Sequence, residues 1–182
     1  LVTPAEALSA WVVKASLVAS GGLVALPVPY ADAVAAEVTT APVFAGPDGA
    51  LRTAALDVAL AWLEGANNPS ILGDCLIPDE RPGYHPCTEA RQPRSFCAMQ
   101  VFLPGGARTL EGWGRADLLT DPAKCVHAGN RIILASILAD RTGTCALCIY
   151  ARGRDTPEAR RLSDHRMRLA KKLLAEVPAV SL

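Results

Sequence analysis

The sequence predicts a mainly α domain with long loops, and three observations predict it. Apolar residues recur at helical spacing, as in Leu56, Ala59, Leu60 and Leu63. An N-cap residue followed by proline opens two of the expected helices, at Asp121-Pro122 and Thr156-Pro157. Fourteen glycines and fourteen prolines punctuate the stretches between. About five or six helices and little or no sheet are expected. The chain of 182 residues is 51% hydrophobic and 20% charged, which excludes disorder over most of its length. Such a length buries roughly 70% of the unfolded surface, so folding alone demands no metal.

Element by element, a helix is expected over about 5–19, then a Gly21-Gly22 turn and an apolar strand or loop. Residues 15–31 carry no charge. Three roles fit them: a secretory signal with Ala31-Asp32-Ala33 as its processing site, a membrane or docking arm, or an element packed on the domain. A spanning helix fits less well, because Gly21, Gly22, Pro27 and Pro29 interrupt the run. A short helix follows near 30–40. The chain therefore divides into an apolar N-terminal arm, 1–40, and a main domain, 41–182. Ala45-Gly46-Pro47-Asp48-Gly49 is a turn, Thr53 is the expected N-cap of the next helix, and Gly65 closes it. Residues 65–96 read as a loop, with prolines at 69, 78, 82, 86 and 93. Residues 95–103 form a strand or a helix start, broken by Pro104-Gly105-Gly106. A helix starts at Asp121-Pro122 and ends before Gly143, Thr144 caps a short one reaching Tyr150, and the last runs from Thr156 to about Val177.

Charge and cysteine content narrow the function. Eighteen basic residues balance eighteen acidic ones and aromatics are 5%, so nucleic acid is not an expected partner. Six cysteines, at 75, 87, 97, 125, 145 and 148, suit disulfides in an oxidising compartment and allow fifteen pairings. Cys145 and Cys148 form a CxxC, which leaves zinc or redox chemistry as alternatives. No second CxxC accompanies it, and His85, His127 and His165 fall at no standard ligand spacing. No metal or other cofactor is therefore expected.

Glu64 is the residue on which chemistry is expected. It ends an apolar helix, Ala54-Ala-Leu-Asp-Val-Ala-Leu-Ala-Trp-Leu-Glu64-Gly65. Apolar walls disfavour the charged form of a carboxyl, which suits a general acid; the plain alternative is a solvated last-turn glutamate. Three further segments follow in order: Phe96-Cys97-Ala98-Met99-Gln100-Val101; Asp117-Leu118-Leu119-Thr120-Asp121-Pro122 with Ala128-Gly129; and Ala146-Leu147-Cys148-Ile149-Tyr150-Ala151-Arg152-Gly153. With Trp62-Leu63-Glu64-Gly65, these segments give the chain, over about 51–174, a sequence that resembles the lysozyme-like superfamily. Within it, the lytic transglycosylases and related phage or bacterial muralytic domains are the nearest in pattern. Three departures stand out: Gly65 where the family more often has Ser, Cys97 in place of a Gly, and Ala151-Arg152 in place of Asn and a small residue.

The resemblance implies a lysozyme-like helical domain that cleaves the glycan strand of peptidoglycan outside the cytoplasm: periplasmic, secreted or virion-associated. It implies Glu64 as acid and then base, Met99 and Gln100 along the saccharide groove, and Tyr150 orienting Glu64 through its hydroxyl. A two-carboxylate glycosidase needs a second acid, about 5–5.5 Å away for retention or about 6.5–9.5 Å for inversion. Asp74 is the best candidate, ahead of Asp79, Glu80 and Glu89; a turn-forming Asp is the alternative reading. One glutamate suffices if an anhydro sugar is the product, as in the transglycosylases. Trp113 could stack on a sugar or anchor a loop, and Thr109 could touch substrate. On the last helix, Arg160, Arg161, Arg166, Arg168, Lys171 and Lys172 flank an apolar stripe and are expected on a solvated face, with attraction to an anionic wall or membrane as the alternative. Two other functional classes stay open: a non-catalytic lysozyme-like docking module of a larger assembly such as a phage particle, contacting membrane or virion through its N-terminal arm, and a zinc-binding interaction domain.

Overall fold

A computed structural model of the chain describes residues 2–73, 75, 87–88, 92–141 and 143–180. The domain is mainly helical, with seven α-helices and a small three-stranded antiparallel sheet among these residues.

The N-terminal helix α1 (Pro4–Ala19) starts at a capping box. The Thr3 hydroxyl accepts the Glu6 N–H at 3.2 Å, and Glu6 accepts the Thr3 N–H at 2.8 Å. Left-handed glycines at 21 and 22 turn the chain, and α2 (Val28–Thr40) follows. Residues 15–31 are thus a packed element. The Ser16 hydroxyl accepts the Leu26 N–H at 2.8 Å, and Leu8, Trp11, Val12, Leu26, Tyr30 and Val34 are buried. These side chains belong to the same core cluster as Leu173 and Val177, and the Trp11 indole donates to the Val177 carbonyl. Among the described residues no helix is long and apolar enough to cross a membrane.

Helix α3 (Gly49–Gly65) is the centre of the fold. Every residue from Thr53 to Ala61 is buried, as expected of a helix covered on all sides. It packs against α1, α2 and the last helix. Thr53 lies one turn inside this helix and is not its N-cap. Its hydroxyl donates to the Gly49 carbonyl at 2.8 Å and accepts the Val43 N–H at 3.0 Å, so it staples the incoming loop instead. The helix begins earlier because Gly49 alone fits under Phe44: a Cβ there would lie 2.1 Å from the Phe44 carbonyl oxygen.

The segment 95–103 is a hairpin. Strands β1 (Leu72–Gly73), β2 (Ser95–Phe96) and β3 (Val101–Phe102) pair antiparallel in that order, with Gly73 opposite Ser95 and Ser95 opposite Phe102. Short α4 (Arg115–Thr120) leads into α5 (Pro122–Ala139). Asp121 caps α5 as expected, accepting the Ala123 N–H at 3.0 Å. Helices α6 (Cys148–Arg152) and α7 (Pro157–Glu176) complete the fold.

The cysteines pair as Cys75–Cys87, Cys97–Cys125 and Cys145–Cys148. The second joins the hairpin turn to α5 inside the core, where the Tyr30 hydroxyl donates to Cys125 Sγ at 3.3 Å. The CxxC is therefore a disulfide, which removes it as a thiolate zinc site in this state.

Candidate active site

A cleft of about 880 Å³ opens where the end of α3 meets the hairpin on one side and α6 and α7 on the other. Glu64 lies on its wall together with Gln100 and Tyr150, so three of the residues singled out in the sequence converge. Each reaches the cleft for a local reason.

Glu64 is delivered by the way α3 stops. Ala66 and Asn67 take left-handed backbone conformations, and the Asn67 N–H reaches back to the Ala61 carbonyl at 3.0 Å. The buried Asn67 amide then donates to the carbonyls of Ser16 at 3.2 Å and Val24 at 2.9 Å. The N-terminal helices thereby fix the helix end that carries Glu64. Gly65 has a packing cause, since a Cβ there would meet Ile71 Cγ2 at 2.9 Å.

Glu64 does not sit against apolar walls alone. Arg166 of α7 donates to its Oε1 through Nε at 2.7 Å and also through Nη2. The arginine side chain is 8% exposed and the glutamate side chain 20%. Both donors use one carboxylate oxygen, so any proton the group carries must sit on Oε2. The Arg166 guanidinium also lies 5.9 Å from the Tyr150 ring centroid, and its Nη1 has no hydrogen-bond partner. The expectation of a solvated Arg166 is corrected. Ala159, Ser163, Arg166, Ala170 and Leu173 form the buried stripe of α7, at alternating spacings of four and three residues.

Tyr150 does not orient Glu64 through its hydroxyl. That group donates to the Met99 carbonyl at 2.7 Å, which ties α6 to the hairpin turn. Burial, and then the Glu64 charge nearby, push the Tyr150 hydroxyl well above its ordinary pKa, so it remains a donor. Met99 is likewise not a groove residue. It is fully buried, and its side chain occupies the space that a Cβ on Gly129 would need, 2.7 Å away. Gln100 does line the cleft: its backbone has φ 46°, its Nε2 donates to the Cys97 carbonyl at 3.0 Å, and a Cβ on Gly73 would lie 1.8 Å from its Oε1. Cys97, at φ 62°, also holds a left-handed conformation, secured by its disulfide.

Trp113 is elsewhere. It packs edge-on to His127 with centroids 5.5 Å apart, and Thr109 closes its turn by accepting the Trp113 N–H at 3.2 Å. Besides Tyr150, the cleft wall carries the Phe102 ring, which is 52% exposed. Arg94, Arg152 and His165 also line it. Sequence reasoning placed none of the four on the site, although Phe102 directly follows the Phe96–Val101 segment and Arg152 stands two residues after Tyr150 within the quoted motif. Asp74, Asp79, Glu80 and Glu89 lie outside the described residues. Among the described residues, Glu64 is the sole carboxylate on the cleft wall.

Away from the cleft, Cys145, Cys148 and Asp155 form a group of potential metal ligands, with Cys148 Sγ 3.5 Å from Asp155 Oδ1. Both sulfurs are engaged in the disulfide, so the donor set does not fit a metal in this state. No family model matches the chain, and neither a curated protein nor a solved structure does.

Proposed function

We propose that the protein cleaves the glycan strand of peptidoglycan, with Glu64 as the single general acid and base. The observation that carries this reading is Glu64 held by Arg166 on the wall of an 880 Å³ cleft. The ordered motifs that resemble the lytic transglycosylases bring Glu64, Gln100 and Tyr150 to that same cleft. Exposed Phe102 offers an apolar face of the kind against which a pyranose ring packs.

In the proposed reaction, Glu64 Oε2 delivers its proton to the glycosidic oxygen as the bond to the muramyl C1 breaks. The resulting carboxylate takes the proton of the same sugar's 6-hydroxyl, whose oxygen closes on C1. The product is a 1,6-anhydro end, and no second carboxylate is needed. Arg166 is a positioning residue that fixes Oε1 and turns Oε2 to the task. The three disulfides fit an oxidising compartment, so the reaction is proposed to take place outside the cytoplasm.

The test is a digest of purified peptidoglycan by the wild type and by Glu64→Gln, read by mass spectrometry. Gln keeps an oxygen for the Arg166 donors, so the variant should fold while losing the transferable proton. Anhydro-ended fragments from the wild type alone are expected, with the variant reduced at least ~10²-fold. Reducing ends would make the reaction a hydrolysis, and Asp74 would be substituted next. The second reading, a lysozyme-like docking module, is favoured by the burial of the Glu64–Arg166 pair, which would then be structural. It predicts no release from any wall type.

A further inference from the structure

The cleft wall holds more basic than acidic side chains among the described residues, although the chain as a whole is balanced. The protein is formally neutral, with eighteen basic and eighteen acidic residues. Yet Arg94, Arg152 and Arg166 line the cleft with His165, against the single carboxylate of Glu64 among the described residues. Arg166 is engaged by Glu64. The remaining basic side chains stand beyond that pair, Arg94 on the hairpin bank and Arg152 and His165 on the helical bank.

We propose that the α6–α7 bank of the cleft binds a carboxylate of the peptide stem borne by the glycan strand. This rests on the peptidoglycan reading above and adds what the site selects. Phe102 and Ile149 supply exposed apolar surface for sugar rings, being 52% and 42% exposed. Arg152 and His165 are exposed and carry the donors. Among the described residues Arg152 is held by Glu158, Nη2 to Oε1 at 3.1 Å, with both side chains about half exposed. An ion pair in that much water is weak, so a ligand carboxylate competes for the same planar fork. A neutral glycan offers these donors only uncharged oxygens, and a carboxylate accepts from them about twice as strongly. A stem carboxylate, joined to the muramyl sugar on the same strand, would occupy them while the sugar lies against the apolar side.

The experiment is a calorimetric titration of the wild-type protein with soluble wall fragments, each a disaccharide bearing a tetrapeptide stem. One fragment has free carboxylates, a second has them converted to amides, and a third lacks the stem and exposes only the lactyl carboxylate. The free-carboxylate fragment should bind about tenfold tighter than the amidated one, which is the order expected of one charge-assisted contact. The variant Arg152→Gln/His165→Gln should bring that ratio to about one and leave thermal stability unchanged, since both side chains are exposed. Equal affinity for the first two fragments would overturn the proposal, as would a preference surviving in the variant. The stem-free fragment binding as tightly as the intact one would overturn the assignment to the stem. The readout is binding, so it separates from catalysis: a chain with this preference that releases nothing from intact wall would refute glycan cleavage and leave the carboxylate site standing.

Discussion

Asp57 is costly to keep buried. It sits two helical turns before Glu64 on α3, is fully buried, and accepts one bond, from Asn130 Nδ2 at 3.1 Å. Its Oδ1 and the Asn130 Oδ1 both lack partners. Burial pushes the Asp57 carboxyl well above the usual range, the Asn130 bond opposes this in part, and the Glu37 charge adds to it. The unfolded chain releases this proton near pH ~3.9. The folded chain holds it to higher pH, so it binds more protons in the window above ~3.9 and loses stability there as the pH rises. Asp57→Asn removes that loss and supplies an N–H for the orphaned Asn130 oxygen. The variant should match the wild type near pH 4 in urea unfolding and exceed it by ~1–2 kcal/mol at pH 7. An equal difference at both pH values would refute the protonation argument. Arg166→Ala is expected to act in the opposite sense, because it strands Glu64 in a largely desolvated position. A loss of ~3 kcal/mol is predicted, and the matching hydrophobe Arg166→Met should lose no less.

At the scale of elements, the hairpin is the part on which the cleft depends most. Its turn is pressed against α5: Met99 fills the groove left by Gly129, and Gln100 fills the one left by Gly73. Gly129→Ala should push Met99 out of its buried position and cost ~1–3 kcal/mol in chemical denaturation. Gly73→Ala meets only the end of the Gln100 side chain, which has room in the cleft, so it should leave stability nearly intact while disturbing Gln100; unchanged stability with altered fragment binding checks it. Helix starts were legible in the sequence because Asp121-Pro122 and Thr156-Pro157 announce themselves in local chemistry. Glu64 was legible as the polar end of an apolar helix. The sheet was not, since strands of two residues are too short to show a period of two. Arg166 was missed because its neighbours Arg160, Arg161 and Arg168 suggested a solvated face. The stripe from Ala159 to Leu173 ran through it all the same, as the one charged position on an otherwise small or apolar seam.

For the molecule as a whole, the question is what holds the hairpin and the helical core in one unit. Cys97–Cys125 spans 28 residues and lies at the junction, with both cysteines fully buried. Cys145–Cys148 spans three and joins the turn before α6 to the first residue of that helix. Closing the longer loop restricts the unfolded chain more, by ~3–4 kcal/mol against ~2 for the short one on the chain-entropy argument. The native side adds to the difference, because the Tyr30 hydroxyl loses its sulfur partner when Cys125 is replaced. The paired variant Cys97→Ala/Cys125→Ala should therefore melt roughly 10 °C below the wild type, and Cys145→Ala/Cys148→Ala about half as far below. Position should matter as well as loop length. The first variant frees the turn that presents Gln100 and holds the Met99 carbonyl, so fragment binding should fall below its melting temperature as well. The second leaves Tyr150 anchored to that carbonyl at 2.7 Å, and binding should survive. Melting curves with and without fragment decide between the two accounts. If both variants lose the same stability and bind equally, the hairpin is held by core packing alone and the buried disulfide is incidental to the cleft.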